Sequence, residues 1–154
     1  GGCGAPYPEE AMQPLPGGED GTLVLCGRSG WFGFEGSSLR DTDWFLATFG
    51  PGGSIEITAD AEHALYVFEL GPQDCAEVGV VQNVEVGPCL PGTLTVTGEP
   101  GTVAWLWAGA TVFEPPGGMP TPYEFDYVLW LSGLDPGPIA TERATWSSLK
   151  ALYR

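Results

Sequence analysis

Two aspartates one residue apart, Asp41 and Asp43, stand directly before Trp44 in the stretch "RDTDWFLATF". Paired carboxylates suit three kinds of chemistry. Across a cleft they act as the acid and base of a glycosidase. With backbone carbonyls they form a hard oxygen set for calcium. At the entry of a strand they accept backbone N–H bonds and fix the turn. Glu124 and Asp126 make a second pair on one strand face. With twenty acids in 154 residues some pairs arise by chance, and the D-x-D-x-D-G calcium pattern is not completed. Strand punctuation is therefore the expected role of Asp41 and Asp43, with calcium as the functional alternative. Nucleophilic catalysis needs a base beside Ser or Cys, and the sole histidine, His63, has no motif around it; it reads as a surface or edge residue. The G-x-S-x-G, H-E-x-x-H and phosphate-loop patterns are missing. In "GRSGWFG" no lysine accompanies the glycines, which read as strand bulges.

Trp105 and Trp107 share one face of a strand. Exposed and coplanar, they would stack on a sugar; buried, they would be core, the commoner outcome for a two-sheet fold, and a protein interface is the third reading. The four cysteines, Cys3, Cys26, Cys75 and Cys89, include no C-x-x-C, and His63 cannot complete a zinc set near them. An even count favours two disulfides and an extracellular setting. Of the three connectivities we favour Cys3–Cys26 with Cys75–Cys89, the latter bracketing a hairpin; free buried thiols are the alternative.

The elements that must position these residues follow from composition. The chain is long enough for one domain with a real core. Its 24 glycines and 15 prolines suit short strands and tight turns rather than long helices. No apolar run approaches twenty residues, so no helical membrane span is expected, and any export signal would already have been removed. A formal charge of −15 argues against nucleic acid and anionic lipid as partners. The bases are uneven: Arg28 and Arg40 accompany 19 acids up to Gly137, whereas Arg143, Lys150 and Arg154 accompany only Glu142 thereafter.

Residues 1–20 read as an extended N-terminal arm. From Gly21 the strands "GTLVLC", "RSGWFGFEG", "TDWFLATFG", "SIEITAD", "HALYVFEL", "EVGVVQNVEVG", "TLTVTG", "TVAWLWAGATVF" and "YEFDYVLWLSG" follow. In the last, Tyr123, Phe125, Tyr127, Leu129 and Leu131 share one face. About nine strands without crossover helices predict an all-β, two-sheet antiparallel β-sandwich of jelly-roll or Greek-key type over 21–134. Residues 135–154 form a tail, helical or extended. Trp146, Leu149, Leu152 and Tyr153 fall there at roughly helical spacing, with Arg143, Lys150 and Arg154 among them, and the segment must dock on something.

"DTDWF" at Asp41–Phe45, the "SIEIT" strand at Ser54–Thr58 and the late strand from Tyr127 to Leu131 resemble the bacterial pre-peptidase C-terminal domain, a secreted jelly-roll-like β-sandwich. The resemblance covers about Gly21 to Leu134. It implies no catalytic residues and puts calcium in play. The resulting expectation is a non-enzymatic, exported module that associates with copies of itself in a surface fibre or layer through its arm or tail. The alternative is a glycan- or calcium-binding accessory of a secreted hydrolase system.

Overall fold

The computed structural model describes residues 2–4, 12–117 and 121–137. It is all-β. Nine strands, β1 (Gln13–Leu15), β2 (Leu23–Phe34), β3 (Ser37–Thr48), β4 (Ser54–Ala61), β5 (Leu65–Gly71), β6 (Gly79–Val86), β7 (Gly92–Thr97), β8 (Val103–Ala110) and β9 (Tyr123–Ser132), follow a single 3-10 turn at Gly2–Gly4. The segments "GTLVLC" and "RSGWFGFEG", expected as two strands, are one twelve-residue strand.

The expected all-β antiparallel architecture is present, with two groups of strands, β1-β3-β8-β5-β6 and β3-β2-β9-β4-β7, that share β3 and so join in the order β6-β5-β8-β3-β2-β9-β4-β7. β3 makes the sheet continuous. Its first half, Ser37 to Asp41, pairs with β2, and its second half, Thr42 to Thr48, pairs with β8. Strands this long cannot stay flat, because right-handed twist accumulates along them and curls the sheet. Where β2 and β3 diverge a wedge opens, and β1 fills it by pairing in parallel with Phe45–Ala47. Every other strand pairing is antiparallel. Part of the expected arm thus belongs to the sheet, its Leu15 buried in the core.

The curled sheet encloses its own core, as small barrels do. Alternation decides which side chains enter. Ile55 and Ile57 of β4, and Phe125, Tyr127, Leu129 and Leu131 of β9, all lie buried inside. Fully burying one such aliphatic side chain contributes roughly 1.5–3 kcal/mol. Ala47, Ala59, Ala108 and Ala110 are also buried, small residues that leave room for Trp31, Phe45 and Tyr127. The end of the barrel where β9 finishes is laced by backbone bonds: Leu134 N–H to the Gly21 carbonyl at 3.0 Å and Asp135 N–H to the Thr48 carbonyl at 2.9 Å. The described residues end close to this point, at Gly137 on the β2–β3 rim.

Candidate functional site

Asp41 and Asp43 lie in mid-strand, where β3 changes partner from β2 to β8, rather than at a strand entry. Their expected capping role is corrected accordingly. Asp43 shares the inward parity of buried Phe45 and Ala47, and its Oδ2 accepts the Tyr127 hydroxyl at 2.5 Å. Gly27 explains how Tyr127 arrives. It stands directly opposite Tyr127 across the β2–β9 pair, and a Cβ on Gly27 would overlap the tyrosine ring. The ring therefore lies over Gly27 and reaches from β9 across β2 to β3. Gly27 and Gly30 are close-approach positions and not bulges, since β2 keeps unbroken register from Leu23–Leu131 to Trp31–Tyr123.

Burial raises the Asp43 carboxyl above its ordinary value; the Tyr127 hydrogen bond opposes this and the charge of Asp41 adds to it. Burial, then the hydrogen bond to Asp43, push the Tyr127 hydroxyl far above its usual range, so the phenol stays neutral. Asp41 is exposed. Among the described residues no group of three or more His, Cys, Asp or Glu side chains is placed to hold a metal. Of the pair for which calcium was the alternative reading, Asp43 is an interior acceptor and Asp41 an exposed acid beside it.

Glu124 and Asp126 face Arg28 across the β2–β9 pair. The Arg28 Nε donates to Asp126 Oδ1 at 3.0 Å, and Nη1 donates to Glu124 Oε2 at 3.3 Å. His63 lies half-buried in the connection between β4 and β5. Its ring sits 5.3 Å from Phe125 and 5.4 Å from Trp31, and its buried Nδ1 has no hydrogen-bond partner.

Trp105 and Trp107 do share the outer face of β8, but they offer no open platform. Trp107 is only 5% exposed. Phe68 stacks on it at 4.7 Å, and the Arg40 guanidinium lies 4.9 Å from its ring and 4.1 Å from Phe113. Arg40 Nη1 also donates to the Ala110 carbonyl at 2.6 Å. Cation–π contact lets a half-buried arginine seal the aromatic row. Trp105 is half-buried. Among the described residues the exposed tryptophan is Trp130, at 44%, opposite Val24 at 60% and beside Thr58. Its outward direction was implicit in the alternation of β9, whose odd-numbered residues face inward.

The disulfide pairing is corrected too. Cys3 bonds Cys75, and Cys26 and Cys89 are free and exposed. Cys26 lies on the outer face of β2, whereas the arm docks on the far side of β3: Gly2 lies against the Trp44 ring. This brings Cys3 to the β5–β6 loop and away from Cys26. Cys75 lies in the β5–β6 loop and Cys89 in the β6–β7 turn, at opposite ends of β6, so no hairpin juxtaposes them. The expected tail residues Arg143, Trp146, Leu149, Lys150, Leu152, Tyr153 and Arg154 lie outside the described residues.

One feature was invisible to pattern reading. β6 and β7, the two ends of the strand order, run side by side in opposite directions and would close the barrel if they paired. Among the described residues their backbone pairing is confined to the turn, where Gly87 and Leu90 exchange hydrogen bonds of 3.2 and 2.9 Å. Further down, the Gln82 side chain substitutes for a strand: its Nε2 donates to the Thr95 carbonyl at 2.9 Å and to Glu69 Oε2 at 2.6 Å. Below that bridge the edge of β6 shows Val80 and Val81, 51% and 62% exposed. The seam is a sheet edge with apolar residues beside it, the arrangement that invites another strand.

No family model matches this chain, and no curated protein matches it. Among solved structures it is similar to a crystal structure of Aeromonas hydrophila PliG, a periplasmic lysozyme inhibitor of g-type lysozyme. The TM-score is 0.45 and the identity 13%, over 79% of this chain and 95% of that one.

Proposed function

We propose that this chain is a non-enzymatic, exported binding module whose principal partner is another copy of itself. The β6–β7 seam carries the reading. Among the described residues no strand pairs with the outer edge of β6 beside Val80 and Val81, and an extended segment can add there as a strand. The occupant we assign is the 138–154 segment of a neighbouring copy. Residues 13–15 of the arm are already taken into the sheet as β1, so that part of the arm is not available. The 138–154 segment follows Gly137 on the β2–β3 rim, across the strand order from the seam. Charge agrees: the segment holds three bases and one acid, and the rest of the chain two bases and nineteen acids. Such a contact joins different surfaces of two copies and propagates. The Cys3–Cys75 bridge supports an oxidising, exported setting.

Sedimentation and electron microscopy of the full chain, beside a version ending at Pro138 and a Val81→Pro variant, test the reading. Concentration-dependent assembly of the full chain alone is expected. If the full chain stays monomeric at high concentration, or the shortened chain assembles equally well, the reading fails.

A second reading, glycan binding, has one observation in its favour: Trp130 presents an exposed ring beside Val24 and the Thr58–Thr93 hydroxyl pair. A glycan array with wild type and Trp130→Ala decides it, and unchanged binding removes the platform.

A further inference from the structure

We infer that Cys26 and Cys89 are cross-linking thiols, and that Cys26 of one copy bonds Cys89 of the next. This rests on the self-association reading and adds a covalent step to it. Cys3 and Cys75 are joined, so the chain folds where thiols are oxidised, and there two exposed unpaired thiols do not persist as such.

Geometry selects the pairing. Within one copy, Cys26 on β2 lies opposite Val128 on β9, which lies opposite Asp60 on β4. Two strand spacings are about 10 Å, and a disulfide spans at most about 7 Å between Cα atoms. Cys89 belongs to the turn that borders Asp60, Glu62, Asp126 and Val128, on the β4 side of β9 where Cys26 is on the β2 side, and within one copy the two thiols are not bonded. A Cys26–Cys26 bond between copies is disfavoured for a similar reason. Cys26 lies in the flat face of a sheet, and two sheets packed face to face stand about 10 Å apart. Cys89 lies at a tight turn beside Leu90, which is 65% exposed. A protruding turn can bring its Cα within disulfide range of a thiol in a flat face. The same approach sets Leu90 against Val24, the exposed neighbour of Cys26, so apolar surface is buried as the bond forms. Around Cys26 the face also holds neutral Val128 and Trp130, which lessens the repulsion between two bodies of high negative charge.

The chemistry is thiol–disulfide exchange with an oxidising disulfide. The Cys89 thiolate attacks the oxidant's S–S bond, forming a mixed disulfide and releasing one oxidant thiolate. The Cys26 thiolate of the next copy attacks the Cys89 sulfur, and the second oxidant thiolate leaves. Two electrons pass to the oxidant, and the two cysteine protons end on its two thiols.

The test uses oxidised glutathione as the oxidant and the full chain. Non-reducing electrophoresis of wild type is expected to give a ladder, with a Cys26–Cys89 peptide in the digest. That peptide should join heavy and light halves when isotope-labelled and unlabelled chains are mixed. Cys26→Ser and Cys89→Ser alone should each abolish the ladder, and their equimolar mixture should give dimers and stop there. A Cys26–Cys89 peptide confined to single chains overturns the inference, as do dimers from either variant alone or none from the mixture. Sedimentation under reducing conditions separates the two readings: assembly there supports the non-covalent contact by itself, and such assembly together with no ladder under oxidised glutathione overturns the disulfide alone.

Discussion

Replacing Tyr127 by Phe removes one oxygen and leaves the ring, so it isolates the interior bond to Asp43. In the wild type the ionised Asp43 accepts a short bond of 2.5 Å from a neutral phenol. Hydrogen bonds to charged groups contribute about 1.5–3 kcal/mol. Asp43 is half-buried and partly screened by solvent, so about 1.5 kcal/mol is expected at pH 7. For a chain of this size that lowers Tm by about 3–6 °C. The loss depends on pH, and its sign follows from linkage. Burial raises the folded-state proton affinity of Asp43 above its unfolded value of 3.8. Its contribution is therefore fullest below pH 3.8 and is lost as pH rises through the folded value. The Tyr127 bond opposes that rise, so its removal widens the gap and the variant loses further stability as pH climbs. At pH 3 both partners are neutral, and a neutral bond of about 0.5 kcal/mol predicts a fall of about 1–2 °C. Thermal unfolding of wild type and Tyr127→Phe at pH 3 and pH 7 measures both differences. In an Asp43→Asn background the effect of Tyr127→Phe should be the same at both pH values. Equal Tm differences in the wild-type background, or a pH dependence that survives Asp43→Asn, would refute the reasoning.

Gly27→Ala places a methyl against the Tyr127 ring and should cost about 1–3 kcal/mol by overpacking. The cost should shrink in a Tyr127→Ala background, and denaturant titrations giving equal costs in both would count against the ring-over-glycine arrangement. Cys75→Ser opens a loop with a sequence separation of 72 and should cost about 4 kcal/mol of loop-closure entropy. Dithiothreitol should bring the wild-type unfolding midpoint down to that of the variant; a wild type indifferent to reductant would mean that the bridge is absent.

Much of the fold was legible because a strand reports its faces locally. The alternation in "YEFDYVLWLSG" placed the odd-numbered residues of β9 on one face, and from Phe125 to Leu131 that face is the buried one. It equally implied that Trp130 points outward. Trp105 and Trp107 share a face as read, but no local pattern shows that Arg40 and Phe68 cover Trp107. They come from β3 and β5, the strands on either side of β8, and neighbours in a sheet are set by strand order. The same limit applied to the cysteines, where chain proximity suggested Cys3–Cys26 and Cys75–Cys89 while strand order put Cys3 beside Cys75.

By itself, the sequence determined the all-β class, the acidic surface, the inward faces of most strands and the presence of Asp43 on a strand that anchors the core. These follow from residue type and period-two alternation, which need no knowledge of distant neighbours. Tertiary structure alone decided that β3 joins two halves of one sheet, that Tyr127 crosses Gly27 to reach Asp43, and that the β6–β7 seam stays open. Each of these is a contact between residues far apart in the chain. Such contacts exist only once the strand order and register are fixed by collective burial of the core, and no short window of residues carries that information.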